Sequence, residues 1–409
     1  MDSRFFPEVW KLENRIVLPK LGRENYNECN AYRTVSVTSV IGKRFEHITS
    51  QRLIEIMKDL KFDMYQYAYM RNRSATDAII TVVEKVKRAV LHGEKAAAVF
   101  FDFTDAFGSV NRNHLLIKLR RDFGITGRLF LHIHSFLQDR LARIKFNDFT
   151  GDWLQSLFGT SAGTSLGPLL FIIQIHDVPK DIRPKFADDL VTVATGKDID
   201  EIQASLQSNT DLLFDWSQKE GMTINPDKTK VMVFGAKADE VSIKVKDTVL
   251  ENVKSYKYLG VLLDQQLEFT LQVDYSISKA KRAGAKVSSL IVGRKGLPVQ
   301  IGIELYKSLV RPHLEYALPA WANISDKDLD KLEAAQIQCL RRILGAKTHS
   351  SSAAIEVITG IMPVRFRKRE LCCREYMRII TKENGHEIIN LLASSTRVGL
   401  KFCPLELKS

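Results

Sequence analysis

No stretch of the chain stays apolar long enough to cross a bilayer. The longest apolar run, near GPLLFIIQIHDV, falls well short of the ~20 residues that a spanning helix needs, which argues against membrane insertion. Cysteine is scarce: five residues, at 29, 339, 372, 373 and 403. None has metal-ligand spacing, since Cys372 and Cys373 are adjacent rather than C-x-x-C. An odd, scattered set points to reduced thiols and an intracellular setting. The opening MDSRFFPEVWKLENRIVLPK has no apolar core, so no secretory signal is expected. Low-complexity tracts and internal repeats are also missing. Acidic residues are in deficit, 48 against 60 basic ones, which leaves a charge of +12. That balance favours a polyanionic partner, nucleic acid first and an acidic membrane surface second. A solvated basic surface is the plainer alternative.

What is present suits a globular protein. With 45% hydrophobic and 26% charged residues in 409, two or three domains with a real core are expected. SVIGKRFEHITSQRLIEIMKDLK predicts a helix. RSATDAIITVVEKVKRAVLHGEK predicts a clearer one: Ala78, Val82, Val86 and Val90 keep helical spacing, Ser74 or Thr76 can cap it, and Gly93 ends it. AAAVFFDFTDAF begins as a buried strand. HLLIKLRRDF and RLFLHIHSFLQDRL read as helices, ARIKFN and GDWLQSLFG as strands. SLGPLLFIIQIHDV turns at Gly-Pro and continues as helix. A hairpin carrying FADD comes next, then an amphipathic helix (IDEIQASLQSNTDLLFDWSQKEG), a strand (TKVMVFG) and a strand or hairpin (YKYLGVLLD). Past about residue 266 long helical patterns dominate, including VQIGIELYKSLVRPHLEYALPAWA. The expected architecture is α+β over 1–265 and all-α over 266–409.

The carboxylates carry the chemistry. Asp102 ends the apolar run Ala98-Val99-Phe100-Phe101 and precedes Phe103. A buried, unpaired aspartate is costly, so it needs a partner. Asp188 and Asp189 sit side by side at the tip of the FADD hairpin. Mg²⁺ is often held by one or two carboxylates plus substrate phosphates. Two such ions about 4 Å apart can activate a 3′-hydroxyl and stabilise leaving pyrophosphate. Carboxylates from two neighbouring strands would supply that arrangement. The alternative is a capped turn, because aspartates bond their own backbone there. Asp105 lies close by but need not face the same way.

The segments VFFDFTDAFGSV, GTSLGPLLF, KFADDLVTV, INPDKTKVMVFG and YKYLGVLLD occur in the order and approximate spacing of the reverse transcriptase domain. The chain most resembles the reverse transcriptases of non-LTR, LINE-like retrotransposons. Upstream, FPEVWKLENRIVLPK, AYRTVSVTSVIGKRFEHITSQRL and RSATDAI resemble their fingers segments. Downstream, YKSLVRPHLEYALPAWA and QIQCLRRILGAKTHSSSAAIEVITGIMPV resemble their thumb and the segment beyond the thumb. The resemblance covers nearly the whole chain and implies a right-hand polymerase fold.

It also implies roles. Asp102 and Asp188 would bind catalytic metals, Mg²⁺ or alternatively Mn²⁺, with Asp189 completing the carboxylates and Phe103 in the metal-binding set. Phe107 falls where the family places a steric gate against a ribose 2′-hydroxyl; alone it would read as a core aromatic. Lys228 matches the lysine near the incoming triphosphate; alone it would read as a solvated charge. Arg71, Arg73 and Gly163 fall among the nucleotide-binding positions, and an arginine fork suits phosphate. Tyr258-Leu259-Gly260 match the primer grip. The runs KAKRAGAK and RFRKREL would track a template–primer backbone, or simply coat helices. Expected partners are an RNA template, a DNA primer and deoxynucleoside triphosphates, in a nuclear protein with a cytoplasmic phase.

The pattern also departs from the family. Its Pro-Gln-Gly is Ser161-Ala162-Gly163 here, its Ala-Phe-Asp-Ser-Val is Ala106-Phe107-Gly108-Ser109-Val110, its Arg-Pro-Ile-Ser is Arg33-Thr34-Val35-Ser36, and its Gly-Phe-Arg is Ala68-Tyr69-Met70. These losses of supporting residues suggest a decayed or partial copy with weak or absent activity. No endonuclease segment is expected before the polymerase and no ribonuclease H after it. Three functions compete: an RNA-directed DNA polymerase, an inactive fold that still binds RNA or RNA–DNA hybrid, and a maturase-like splicing factor.

Overall fold

A computed structural model describes residues 5–20, 25–59, 63–160, 163–235, 241–291 and 296–381. Ala162 and Cys403 therefore lie outside the described residues, as does the end of the expected helical region. Near the N-terminus two strands, β1 (Leu12–Pro19) and β2 (Tyr32–Val37), pair antiparallel. They emerge from a region whose sequence showed only short apolar runs. Helix α1 (Val40–Asp59) comes after them. Helix α2 (Ala75–Leu91) is started by a full capping box: Ser74 Oγ accepts from the Asp77 amide while the Asp77 carboxylate accepts from the Ser74 amide. Ser74, not Thr76, is the cap. Ala78, Val82 and Val86 are buried as expected, whereas Val90 is exposed.

The next strand, β3 (Lys95–Phe101), is apolar throughout, so both its faces need cover. Helices α3 (Arg112–Arg121) and α4 (Gly127–Leu137) come next, then β4 (Leu141–Phe146), which returns to pair with β1 in parallel. GDWLQSLFG contributes only the two-residue strand Leu154–Gln155 rather than a full one. Helix α5 (Gly167–Gln174), the hairpin strands β5 (Lys185–Phe186) and β6 (Asp189–Gly196), helix α6 (Ile199–Glu220) and strand β7 (Lys230–Phe234) complete the central layer. Its sheet runs Glu251–Asn252, β7, β3, β6, β5, with β3 antiparallel to both neighbours.

Alternation along β3 divides the core in two. Ala96, Ala98 and Phe100 join Val191, Val193 and Met232 in a core shared with α2 and the C-terminal helices. Ala97, Val99 and Phe101 join Leu190, Val231 and Val233 in a core shared with α3 to α6. A tight hairpin, β8 (Ser255–Tyr258) and β9 (Val261–Asp264), leads into the helical end. That end holds α7 (Thr270–Ile291), α8 (Asp326–Leu344) and α9 (Val364–Ile380). Between α7 and α8 the long helix expected over VQIGIELYKSLVRPHLEYALPAWA is broken into Val299–Leu305, a π-turn Tyr306–Val310, Arg311–Glu315 and a 3-10 turn Leu318–Trp321. Pro312 brings no amide to the helix ladder, and Ala317 takes a left-handed φ of 51° that ends it. The architecture is α+β, as expected.

Candidate active site

Strand pairing sets the two key carboxylates against each other. The last β3–β6 pair is Phe101 with Leu190; one more step of that register sets Asp102 opposite Asp189. Directly opposed residues share a face, here the face of Phe100 and Val191. Asp188 stands next to Asp189 in the turn that joins β5 to β6, reached through Ala187 at a φ of 53°. A short loop from the far side fixes the end of β3. Asn225 donates its amide to the Asp102 carbonyl at 2.8 Å, and Thr104 donates to the Thr223 carbonyl at 2.9 Å. The Phe103 carbonyl takes part in neither bond. The Asp102 amide donates to Thr229 Oγ1 at 3.2 Å.

The carboxylates are short of partners. Asp102 Oδ2 is buried and takes no hydrogen bond; the exposed Lys228 ammonium stands 3.5 Å away. Asp189's carboxyl is pushed up to about 7, first by loss of water around it and then by repulsion from Asp188 and Asp102. Burial, aided by Asp102, likewise holds Asp188 above the usual carboxylate range. Among the described residues no three Asp, Glu, His or Cys side chains form a ready-made metal cage. The orphaned oxygen and the mutual repulsion nonetheless fit a divalent cation completed by substrate phosphates, as Mg²⁺ sites commonly are.

The flanks are tightly built. Phe107 stacks on Phe171 of α5 with ring centres 4.2 Å apart, and its carbonyl accepts from the Thr160 amide at 2.9 Å. Gly163 backs onto β2: a Cβ there would lie 2.5 Å from the Ser36 carbonyl oxygen, and its φ is +106°. At Gly108 a Cβ would lie 2.1 Å from Asp105 Oδ2, so Asp105 fills the space that a side chain at 108 would take. On the hairpin side Gln66 Oε1 accepts from the Ala68 amide at 2.9 Å and the Ala187 amide at 3.4 Å. Arg71 is exposed. Arg73 turns inward, and its Nη1 donates to the carbonyls of Asp63 at 2.7 Å and Gln66 at 2.6 Å. The two arginines therefore do not form one phosphate clamp; Arg73 braces the loop beneath the hairpin.

Residues 18–263, more than half of the chain, match the family described as "Reverse transcriptase (RNA-dependent DNA polymerase)". The chain belongs to the reverse transcriptase family. It is similar to the RNA-directed DNA polymerase from mobile element jockey of Drosophila melanogaster, 26% identical over 369 residues that cover 87% of this chain and 40% of that one. It is also similar to the probable RNA-directed DNA polymerase from transposon X-element of the same organism, 24% identical over 354 residues, 84% of this chain and 39% of that one. Among solved structures, apo telomerase from Candida tropicalis matches 98% of this chain and 68% of its own at 12% identity, with a TM-score of 0.48. The chain thus spans about two fifths of the length of the curated relatives it matches. The LINE-like resemblance read from the motif order is borne out.

The site is also flanked by residues that motif reading passed over. Tyr256 stacks on Phe100 with centres 4.4 Å apart. Loss of water, then the charges of Asp189 and Asp102, push its phenol up to about 12. Alternation in β8 was the available signal, because Tyr256 and Tyr258 share a face. Both tyrosines pack against Phe100. At the hairpin turn Tyr316 donates its hydroxyl to the Leu259 carbonyl at 2.8 Å and lies against Gly260. The basic run RFRKREL is largely engaged within the chain: Arg365 with Asp330 and Glu333, Arg367 with Glu315 and Glu370, Lys368 with the Ala322 carbonyl.

Proposed function

We propose that this chain is the polymerase part of a non-LTR retrotransposon and extends a DNA primer on an RNA template. The observation that carries this reading is Asp102 set opposite Asp189 with a buried, unbonded oxygen. In the reaction the primer 3′-oxygen forms a bond to the α-phosphorus of a deoxynucleoside triphosphate, and the bond to pyrophosphate breaks. Asp102, Asp188 and Asp189, with the Phe103 carbonyl, would hold divalent cations, Mg²⁺ or else Mn²⁺. Such cations supply activation of the 3′-hydroxyl and neutralisation of the leaving pyrophosphate. Lys228, beside Asp102, faces the charge that develops on the triphosphate. Arg71 reaches toward phosphate from the loop that Arg73 braces. Phe107 walls the sugar, and Gly163 lets the backbone come close.

In this reading residues 1–265 are fingers and palm, and 266–409 thumb and C-terminal segment. Its partners are an RNA template, a DNA primer and deoxynucleotides. Priming at a chromosomal target would place the protein in the nucleus, with a cytoplasmic phase for RNA binding. The second reading, an inactive fold that still binds RNA or RNA–DNA hybrid, draws on Gly108, where Asp105 occupies the site of a missing side chain. Primer extension on an RNA template with Mg²⁺ decides between them. Deoxynucleotide incorporation by the wild type, abolished in Asp188→Ala, is the expected outcome. No incorporation by either protein, with hybrid still bound, would establish the inactive fold instead.

A further inference from the structure

Helix α5 is only partly capped from its own segment, where Thr164 takes the amide of its first residue, Gly167. Its N-cap residue is Leu166, whose side chain offers no acceptor to the orphan amides there. Glu46, 1% exposed, reaches in from α1 to the two amides just ahead of the first helical residue. Its Oε2 accepts from the Ser165 amide at 2.6 Å and the Leu166 amide at 3.4 Å. A negative charge at a helix N-terminus is further favoured by the helix dipole. Ser50, one turn along α1, ties its hydroxyl to the Glu46 carbonyl at 2.9 Å and the Ser165 carbonyl at 3.4 Å. Thr164 Oγ1 accepts from the Gly167 amide at 3.1 Å. Burial pushes the Glu46 carboxyl up despite those amides and Arg140.

The load that α5 carries matters to the site. Phe171, fully buried on that helix, is the surface on which Phe107 stacks. Gly163, just before the capped amides, packs against the Ser36 carbonyl of β2. One carboxylate from α1, with the Thr164 hydroxyl, therefore fixes the start of the helix whose ring supports Phe107.

We propose that Glu46 is a positioning residue for the incoming deoxynucleotide, acting through α5 and Phe171 on Phe107. The inference rests on the polymerase reading of Phe107 as the wall of the sugar pocket. Without the cap, α5 shifts, Phe107 loses its backing, and deoxynucleotides bind more weakly and are distinguished less well from ribonucleotides.

The test uses the full chain bound to an RNA–DNA template–primer whose primer is chain-terminated, so that binding is read without chemistry. Wild type, Glu46→Gln and Glu46→Leu are titrated with a deoxynucleotide and its ribonucleotide counterpart, and amide exchange is followed at Ser165 and Leu166. Glu46→Leu is expected to speed exchange at both amides and weaken deoxynucleotide binding by roughly ten-fold, the worth of about one hydrogen bond to a charged group. Affinity for the template–primer stays unchanged. Glu46→Gln, which keeps an acceptor oxygen, restores most of both. Faster exchange with unchanged nucleotide affinity and selectivity would make Glu46 merely structural and overturn the proposal. So would unchanged exchange. If Glu46→Leu does not fold, Phe171→Leu must show the same selective loss; if it does not, the route to Phe107 is wrong. A wild type that binds deoxynucleotide but never extends a free primer refutes the polymerase reading while leaving this one readable. A wild type that binds none refutes both.

Discussion

In the proposed reaction Phe107 would answer to two demands at once. Its ring stacks on Phe171 at 4.2 Å, which any core aromatic would do, and the same ring would wall the sugar of the incoming nucleotide. The two roles separate in Phe107→Val. Loss of the stacked pair costs about 1 kcal/mol of stability in either case, measurable by urea denaturation. If the ring also excludes a ribose hydroxyl, incorporation of ribonucleotides relative to deoxynucleotides rises roughly 10–200-fold, the range that pocket size alone gives. A stability loss with unchanged sugar preference would leave Phe107 a packing residue only. At this scale the sequence was a good guide to which residue types gather and a poor one to where arginines point. Arg71 and Arg73 are two residues apart, yet only Arg71 faces outward. The carbonyls of Asp63 and Gln66 that capture Arg73 are brought to it by a turn, and no spacing rule announces them.

Elements with local signals were legible. Ser74 with Asp77 three residues later, ahead of an apolar stripe, marks the start of α2 from the order of residues alone. β3 and the FADD hairpin announce themselves by unbroken apolar runs. The features that could not be read depended on long-range pairing. β1 and β2 are recognisable only because β4, from far along the chain, pairs with β1. The break between α7 and α8 combines a proline with a left-handed alanine that no rule would have chosen. A second tie is equally non-local: Arg378, on α9, donates to Asp77 Oδ1 at 2.6 Å and to the Asn72 carbonyl at 2.9 Å. It joins the last described helix to the cap of α2. Asp77 is fully buried, so losing this partner leaves its charge less well satisfied. Arg378→Met should lower stability by about 2 kcal/mol, read as a shift in urea midpoint at unchanged slope. A change below the error of the method would show the capping box alone suffices for Asp77.

For the molecule as a whole, a charge of +12 says little until the cations are sorted by what they already hold. Those on α9 are engaged: Arg365 and Arg367 meet carboxylates on neighbouring segments. Those on one face of α7 are differently placed. Arg282 is exposed and Lys279 lies 4.5 Å over the Tyr275 ring, beside Lys257 of the β8–β9 hairpin, whose ammonium reaches the Tyr275 hydroxyl at 2.7 Å. Among the described residues Lys279 and Arg282 meet no carboxylate. Each cation that neutralises a backbone phosphate releases counterions, so it steepens the fall of affinity with salt by about one unit on a log–log plot. The two helices therefore make opposite predictions, although both runs looked equally basic in the sequence. Replacing Lys279 and Arg282 by Ala should weaken template–primer binding and lower the salt slope by about two, with thermal stability unchanged. Replacing Arg365 and Arg367 should lower stability and leave the slope where it was. The measurement is hybrid affinity from low to moderate salt by fluorescence anisotropy. Equal slopes for both pairs would mean that intrachain partners do not decide which cations meet nucleic acid.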